Sequence, residues 1–307
     1  MAVAKVPYDE FGLFHENAAE YGLPFDSPPK VRRQAVNLGD GRSLSSLVWG
    51  TEPPEVVLLH GGGQNAHTWD TVALALGAPL VAIDLPGHGH SDGPASGGSA
   101  ATNADDVATV IEALAPDAQA VVGMSAGGLT ALGIAARRPA TIRKLVLVDI
   151  LPNPDPGAAH KIQDFIAGPA TFESFDDLLA RTSQFNPTRS ESSLRRGILH
   201  NAVQLEDGTW QWRHQRHRGE GRAAVSPEDA AERMAKLWDT ISGLTVPVLL
   251  VRGMAEGSVV TDAAEDELRR RLPSAEVERV DGAGHSVQGD KPVELARILQ
   301  RFLAEVP

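Results

Sequence analysis

Gly123-Met124-Ser125-Ala126-Gly127 is the one G-x-S-x-G match in the chain. The pattern is short, so its meaning rests on what flanks it. An apolar run, 119–124, precedes it and an Ala/Leu-rich stretch, 126–138, follows, which predicts a sharp strand-to-helix turn at the serine. Such a turn lifts the hydroxyl above a sheet edge and sets it at a helix N-terminus, where developing negative charge is favoured. Side chains at Gly123 or Gly127 would collide across the turn. A serine hydroxyl is a poor nucleophile until a base takes its proton. Among ten histidines, His285 stands out, in the loop Asp281-Gly282-Ala283-Gly284-His285-Ser286 between the last strand and last helix. From there it reaches the strand ends of a parallel sheet, where ligands bind. His60-Gly61-Gly62-Gly63 follows another apolar run, and its glycines let backbone N–H groups approach an oxyanion. The N–H of Gly62 or Gly63 would act with that of Ala126. No Lys-Ser/Thr pair follows, so a phosphate-cradling loop does not fit. The chemistry these parts can do together is acyl transfer, with no cofactor and no metal required.

The elements that must position these residues alternate. Apolar runs at 55–60, 79–84, 119–124 and 144–150 read as buried strands, with helices over about 68–76, 103–114 and 126–138 between and after them. A hairpin, 31–50, precedes them, turning at Gly39-Asp40-Gly41. Pro152, Pro154 and Pro156 then mark a linker, and residues 157–242 are mostly helical in pattern, with no strong strand. Alternation resumes with strands at 246–253 and 275–282 and helices over about 261–272 and 292–304. This predicts an N-terminal arm (1–30), an α/β core (31–150 and 243–307) and a helical insert (151–242). The arm, with Tyr8, Phe11, Phe14, Tyr21 and Phe25, packs on its own domain or, as the alternative, joins a second copy into a homo-oligomer.

Composition narrows the function. With 28 Lys+Arg against 40 Asp+Glu, the net charge of −12 disfavours nucleic acid as a partner. Hydrophobic residues are 42% and charged residues 22%, a globular balance with a sizeable core. There is no cysteine, which removes disulfides, thiol nucleophiles and thiolate metal sites, and no segment approaches a membrane span. The expectation is a cytoplasmic protein acting on a small molecule.

HGGG after the third strand, Gly87-His88-Gly89-His90-Ser91-Asp92 after the fourth, GMSAGG at the turn and GAGHSVQGDKP near the end occur in the order found in α/β-hydrolase fold proteins. The chain resembles that family over residues 31–307. The resemblance implies an eight-stranded, mostly parallel sheet with helices on both faces and a helical cap between strands six and eight. It also implies an acid that orients His285. The common family position follows strand seven, where Glu256 stands; some branches carry it after strand six, where Asp149 stands. Asp149 closes an apolar run and would be poorly solvated without a partner such as a histidine N–H, so Asp149 is favoured over Glu256.

The expectation is a serine hydrolase cleaving a carboxylic ester or lactone through an acyl-enzyme on Ser125. Hydrolytic carbon–carbon cleavage and a non-catalytic small-molecule receptor are the alternatives. His214-x-x-His217, with His200 upstream, has metal-like spacing in a strongly cationic setting that opposes a divalent ion. The insert's Trp210, Trp212 and Trp238, with Phe165, Phe172, Phe175 and Phe185, are expected to form its core or line an apolar pocket.

Overall fold

The computed structural model describes residues 5–94, 100–214 and 226–305. An arm helix, α1 (Phe14–Tyr21), leads to the antiparallel hairpin β1 (Val31–Asn37) and β2 (Ser43–Trp49). Next come β3 (Val56–Leu59), a 3-10 turn (Ala66–Trp69), α2 (Asp70–Leu76), β4 (Leu80–Ile83), α3 (Ala100–Leu114), β5 (Ala120–Met124), α4 (Ala126–Arg137) and β6 (Leu145–Val148). The insert carries α5 (Pro156–Ile166), β7 (Thr171–Phe172), α6 (Phe175–Phe185), α7 (Glu191–Asn201), β8 (Ala202–Gln204), β9 (Trp210–Trp212) and α8 (Pro227–Ser242). The chain closes with β10 (Val248–Gly253), α9 (Asp262–Arg271), β11 (Glu276–Val280), α10 (Val287–Asp290) and α11 (Pro292–Ala304).

The large sheet has eight strands in the order β1-β2-β4-β3-β5-β6-β10-β11, and only β2 runs against its neighbours. Its central strands are apolar at every position because both faces are covered. Val57, Leu59, Val81, Ile83, Leu145 and Leu147 pack under α3, α4, α8 and α9. Their alternates Val56, Leu58, Leu80, Ala82, Val146 and Val148 pack under α1, α2 and α11. Lys144, buried just before β6, donates to the carbonyls of Phe302 and Glu305 at 2.8 and 2.6 Å and so closes the C-terminal end of α11.

Two expectations need correction. The insert lies between β6 and β10, the sixth and seventh strands of the large sheet, one strand earlier than expected. It is also not purely helical: β7, β9 and β8 form an antiparallel sheet of three strands, each two or three residues long. Strands this short complete too few alternations to show a period of two. The insert's core joins Leu178, Ile198, Leu199, Trp210 and Trp212, with Phe165, Phe172 and Phe175 against it. Trp238 instead packs on the large sheet and donates from Nε1 to Asn153 at 2.8 Å.

The arm packs on its own chain and stitches insert to core. Phe14 is buried against Trp49, with ring centroids 4.8 Å apart, and Asn17 donates to Thr71 at 2.9 Å. On the insert side, Glu20 pairs with Arg196 of α7, and the Val6 N–H donates to Gln204 at 2.8 Å. The arm's helix begins only at Phe14, because residues 10–13 form a turn.

Candidate active site

Ser125 sits between β5 and α4 with φ 51° and ψ −117°, a left-handed backbone that a non-glycine residue adopts only under constraint. The constraint is close packing. A Cβ on Gly123 would lie 2.6 Å from the backbone of Gly127, and one on Gly127 would run into the Leu59 carbonyl. The turn is thereby pressed onto the end of β3, where His60-Gly61-Gly62-Gly63 begins. Met124 pairs with Val148 in the sheet, and the Ser125 N–H faces the Val148 carbonyl at 3.4 Å. The residues just beyond, Ser125 and Asp149, therefore leave neighbouring parallel strands side by side, about 5 Å apart by strand spacing.

Asp149 is fully buried and also has a positive φ, 45°. Its carboxylate accepts four hydrogen bonds. Oδ1 takes the Gly253 N–H at 3.0 Å and the Ser258 hydroxyl at 2.6 Å. Oδ2 takes the Val259 N–H at 2.9 Å and His285 Nδ1 at 2.9 Å. These four donors compensate the burial of the carboxylate without a cation beside it. His285 is thus oriented with Nδ1 on Asp149. Glu256 goes elsewhere: its side chain is 92% exposed and meets Lys161 at 3.3 Å.

The glycine loop after β3 is braced by two histidines whose roles the sequence did not reveal. His60 Nε2 accepts the Leu85 N–H at 2.9 Å, so its proton sits on Nδ1 and reaches the Gly61 carbonyl at 2.7 Å. His88, from the facing loop, accepts the Gly63 N–H on Nε2 at 3.2 Å. Each loop therefore lends a ring nitrogen to the other's backbone. With the Gly63 N–H held by His88, Gly62 is the loop's remaining donor of the two glycines considered. Ala126 opens α4, so its N–H has no acceptor within the helix. The buried Asp84 supports the same loops, accepting from the Ala66 N–H at 2.7 Å and from Arg33 at 2.8 Å.

A cavity of about 130 Å³ lies between insert and core. Gly63, Gln64 and Gln288 border it from the core, and Phe165, Ile198 and Trp212 from the insert. Neither Ser125 nor His285 is in its wall. His214 is buried, stacked on Trp212 and close to Gly63. His217 lies outside the described residues. His200 joins neither: it stacks on His67 at 3.8 Å, beside the buried Asp70 and the half-buried Tyr8 and Glu10.

That group is electrostatically uneven. Burial pushes the His67 imidazole down, but the Asp70 charge and hydrogen bonds to Asp70 and Glu10 raise it to about 9. Burial and the neighbouring His67 and arginine charges push His200 well below its usual 6.5, so it is neutral. Burial raises the Glu10 carboxyl, yet hydrogen bonds from His67 and Arg33 bring it down to about 2. None of these residues was foreseen as a group, because no local spacing joins positions 8, 10, 67, 70 and 200.

The model for the alpha/beta hydrolase fold matches residues 54–292. Esterase Rv0045c of Mycobacterium tuberculosis is 41% identical over 303 residues, covering 96% of each chain. A 3-hydroxybutyrate-oligomer hydrolase of Cupriavidus necator is 28% identical, covering 83% of this chain and 90% of its own. A solved structure of the M. tuberculosis esterase, from work on its transition metal inhibition and structural refinement, superposes with a TM-score of 0.81 at 40% identity. The match covers 98% of this chain and all of that one.

Proposed function

Since the chain belongs to the alpha/beta hydrolase fold family, we propose that it breaks esters by covalent serine catalysis, with Ser125 as nucleophile, His285 as base and Asp149 as the acid that orients it. It is an esterase, a carboxylic ester hydrolase. Small esters are its substrates, and a lactone, which presents the same carbonyl, fits the same chemistry. No helix among the described residues is long and apolar enough to cross a membrane.

In this reading Ser125 Oγ attacks the ester carbonyl as His285 Nε2 takes its proton. General-base transfer of this kind contributes about 10²- to 10⁴-fold. Asp149 keeps the proton of His285 on Nδ1 and stabilises the imidazolium; it stays ionised throughout. The N–H groups of Gly62 and Ala126 receive the oxyanion, and the loss of one such donor costs about 10²- to 10³-fold in kcat. His285 then protonates the departing alkoxide, and water activated by the same nitrogen clears the acyl-enzyme. The observation that carries the reading is the 2.9 Å pairing of His285 Nδ1 with a buried aspartate on the strand beside Ser125. The experiment is labelling with a fluorophosphonate, followed by peptide mapping, alongside Ser125→Ala. Ser125 takes the label, and the alanine variant loses about 10³-fold or more in kcat. A folded Ser125→Ala protein that still turns over refutes it.

A further inference from the structure

Away from the reacting groups, His67, Asp70 and His200 are all buried, and one donor atom from each lies within 4.8 Å of the others. We propose that these three side chains form a binding site for a transition-metal dication of the zinc or cobalt class, which would clasp the insert to the core. His67 Nδ1 is 2.9 Å and His200 Nε2 is 3.7 Å from the same Asp70 oxygen, Oδ2. Tetrahedral zinc with bonds of 2.0–2.1 Å holds its ligand atoms about 3.3 Å apart, midway between those spacings. Two imidazole nitrogens and one carboxylate suit zinc, cobalt or nickel and not the all-oxygen preference of calcium or magnesium.

Three observations beyond spacing point to an ion. Asp70 Oδ1 is buried and makes no hydrogen bond among the described residues, a costly state that a water held on an ion at Oδ2 would relieve by donating to it. The outer nitrogens of both histidines are already held: His67 Nε2 faces the Glu10 carboxylate at 3.2 Å, and His200 Nδ1 meets the Tyr8 hydroxyl at 2.9 Å. Metal-binding histidines are usually oriented in this way. All three ligands also border the cavity between insert and core, which supplies a path and room for water as a fourth ligand. On binding, the ion takes the place of the proton shared by His67 and Asp70. The two rings stack with an interplanar angle of 9°, and an ion lies in the plane of each ring that binds it, so His200 must tilt. Because His200 belongs to α7, and His67 and Asp70 to the turn and helix after β3, the ion would tie insert to core.

The test is titration of metal-free protein with Co²⁺, read by the visible absorption of tetrahedral cobalt, and with Zn²⁺ by calorimetry. His67→Gln and His200→Gln should each lose one bound equivalent, with Kd raised about 100-fold or more. His160→Gln, an exposed histidine on α5, should change nothing. Zn²⁺ should raise the melting temperature of the wild type and of neither ligand variant. If the ligand variants lose their circular dichroism, Tyr8→Phe leaves all three ligands in place and should weaken binding about 10-fold. Absence of cobalt binding, or binding of equal affinity in these variants, overturns the proposal.

Discussion

Asp149→Asn is the sharpest single perturbation, because every atom of the carboxylate is engaged. The amide keeps the shape but presents a donor where there was an acceptor. If the new NH₂ replaces Oδ1, the Ser258 hydroxyl can turn to accept, but the Gly253 N–H faces another donor. If it replaces Oδ2, the Val259 N–H is left without an acceptor and His285 must accept on Nδ1. Its proton then moves to Nε2, and the ring cannot receive one from Ser125. Either orientation leaves one buried N–H unpaired, which costs about 1–3 kcal/mol of stability. The second also removes the base, for which a drop of about 10³- to 10⁴-fold in kcat is expected, or about 4–5.5 kcal/mol in the barrier. The assay is kcat for p-nitrophenyl butyrate hydrolysis, with folding followed by circular dichroism. Glu256→Gln, on a solvent-exposed side chain, is the companion and should stay within about two-fold of wild type. A folded Asp149→Asn enzyme with kcat near wild type, beside a crippled Glu256→Gln, would show that the acid had been placed on the wrong strand.

EDTA should leave kcat unchanged in the same assay, because base, acid and oxyanion donors are all protein groups; inactivation reversed by zinc would contradict this. Glu10, lowered from 4.5 to about 2, contributes stability that is fully present above pH 4.5 and lost as pH falls toward 2. Urea unfolding of wild type and Glu10→Gln should therefore differ most above pH 5 and converge toward pH 2, and a constant gap would discount the ionic contacts. Gly127→Ala should destabilise by about 3 kcal/mol or more, since its Cβ meets the Leu59 carbonyl. Gly197→Ala, inside α7 with nothing within 4 Å of the added carbon, should instead stabilise by about 0.5–1 kcal/mol, both read from thermal melts.

What could be read beforehand follows from how local each signal is. Strands such as Val56–Leu59 and Leu145–Val148 are buried on both faces and appear as unbroken apolar runs, so the large sheet was visible in the chain. Ser125 and His285 each stand in a glycine-marked loop. Asp149 was reached by a solvation argument, because a carboxylate closing such a run needs partners. The two-residue strand β7 and three-residue β8 and β9 exist only through tertiary pairing, and no propensity over so few residues announces them. His67, Asp70 and His200 meet because the insert folds back over α2, a contact between positions too far apart to leave a pattern.

The position of Asp149 just after β6 also accounts for the loop after β10. Where the common family position would carry a carboxylate toward the histidine, this loop turns Glu256 outward. In exchange its own backbone and hydroxyl, from Gly253, Ser258 and Val259, become donors to Asp149. The sheet order makes this necessary. His285 follows β11, and Asp149 follows β6, with β10 between them. To reach the acid, the histidine loop must cross the end of β10, and it does so at contact distance: a Cβ on Gly253 would lie 2.6 Å from the Ala283 carbonyl oxygen and closer still to that of Gly284. A glycine at the end of β10 and an acid one strand inward thus form one arrangement. A carboxylate returned to the β10 loop would find Asp149 already on His285 Nδ1, and two buried carboxylates would then compete for one N–H.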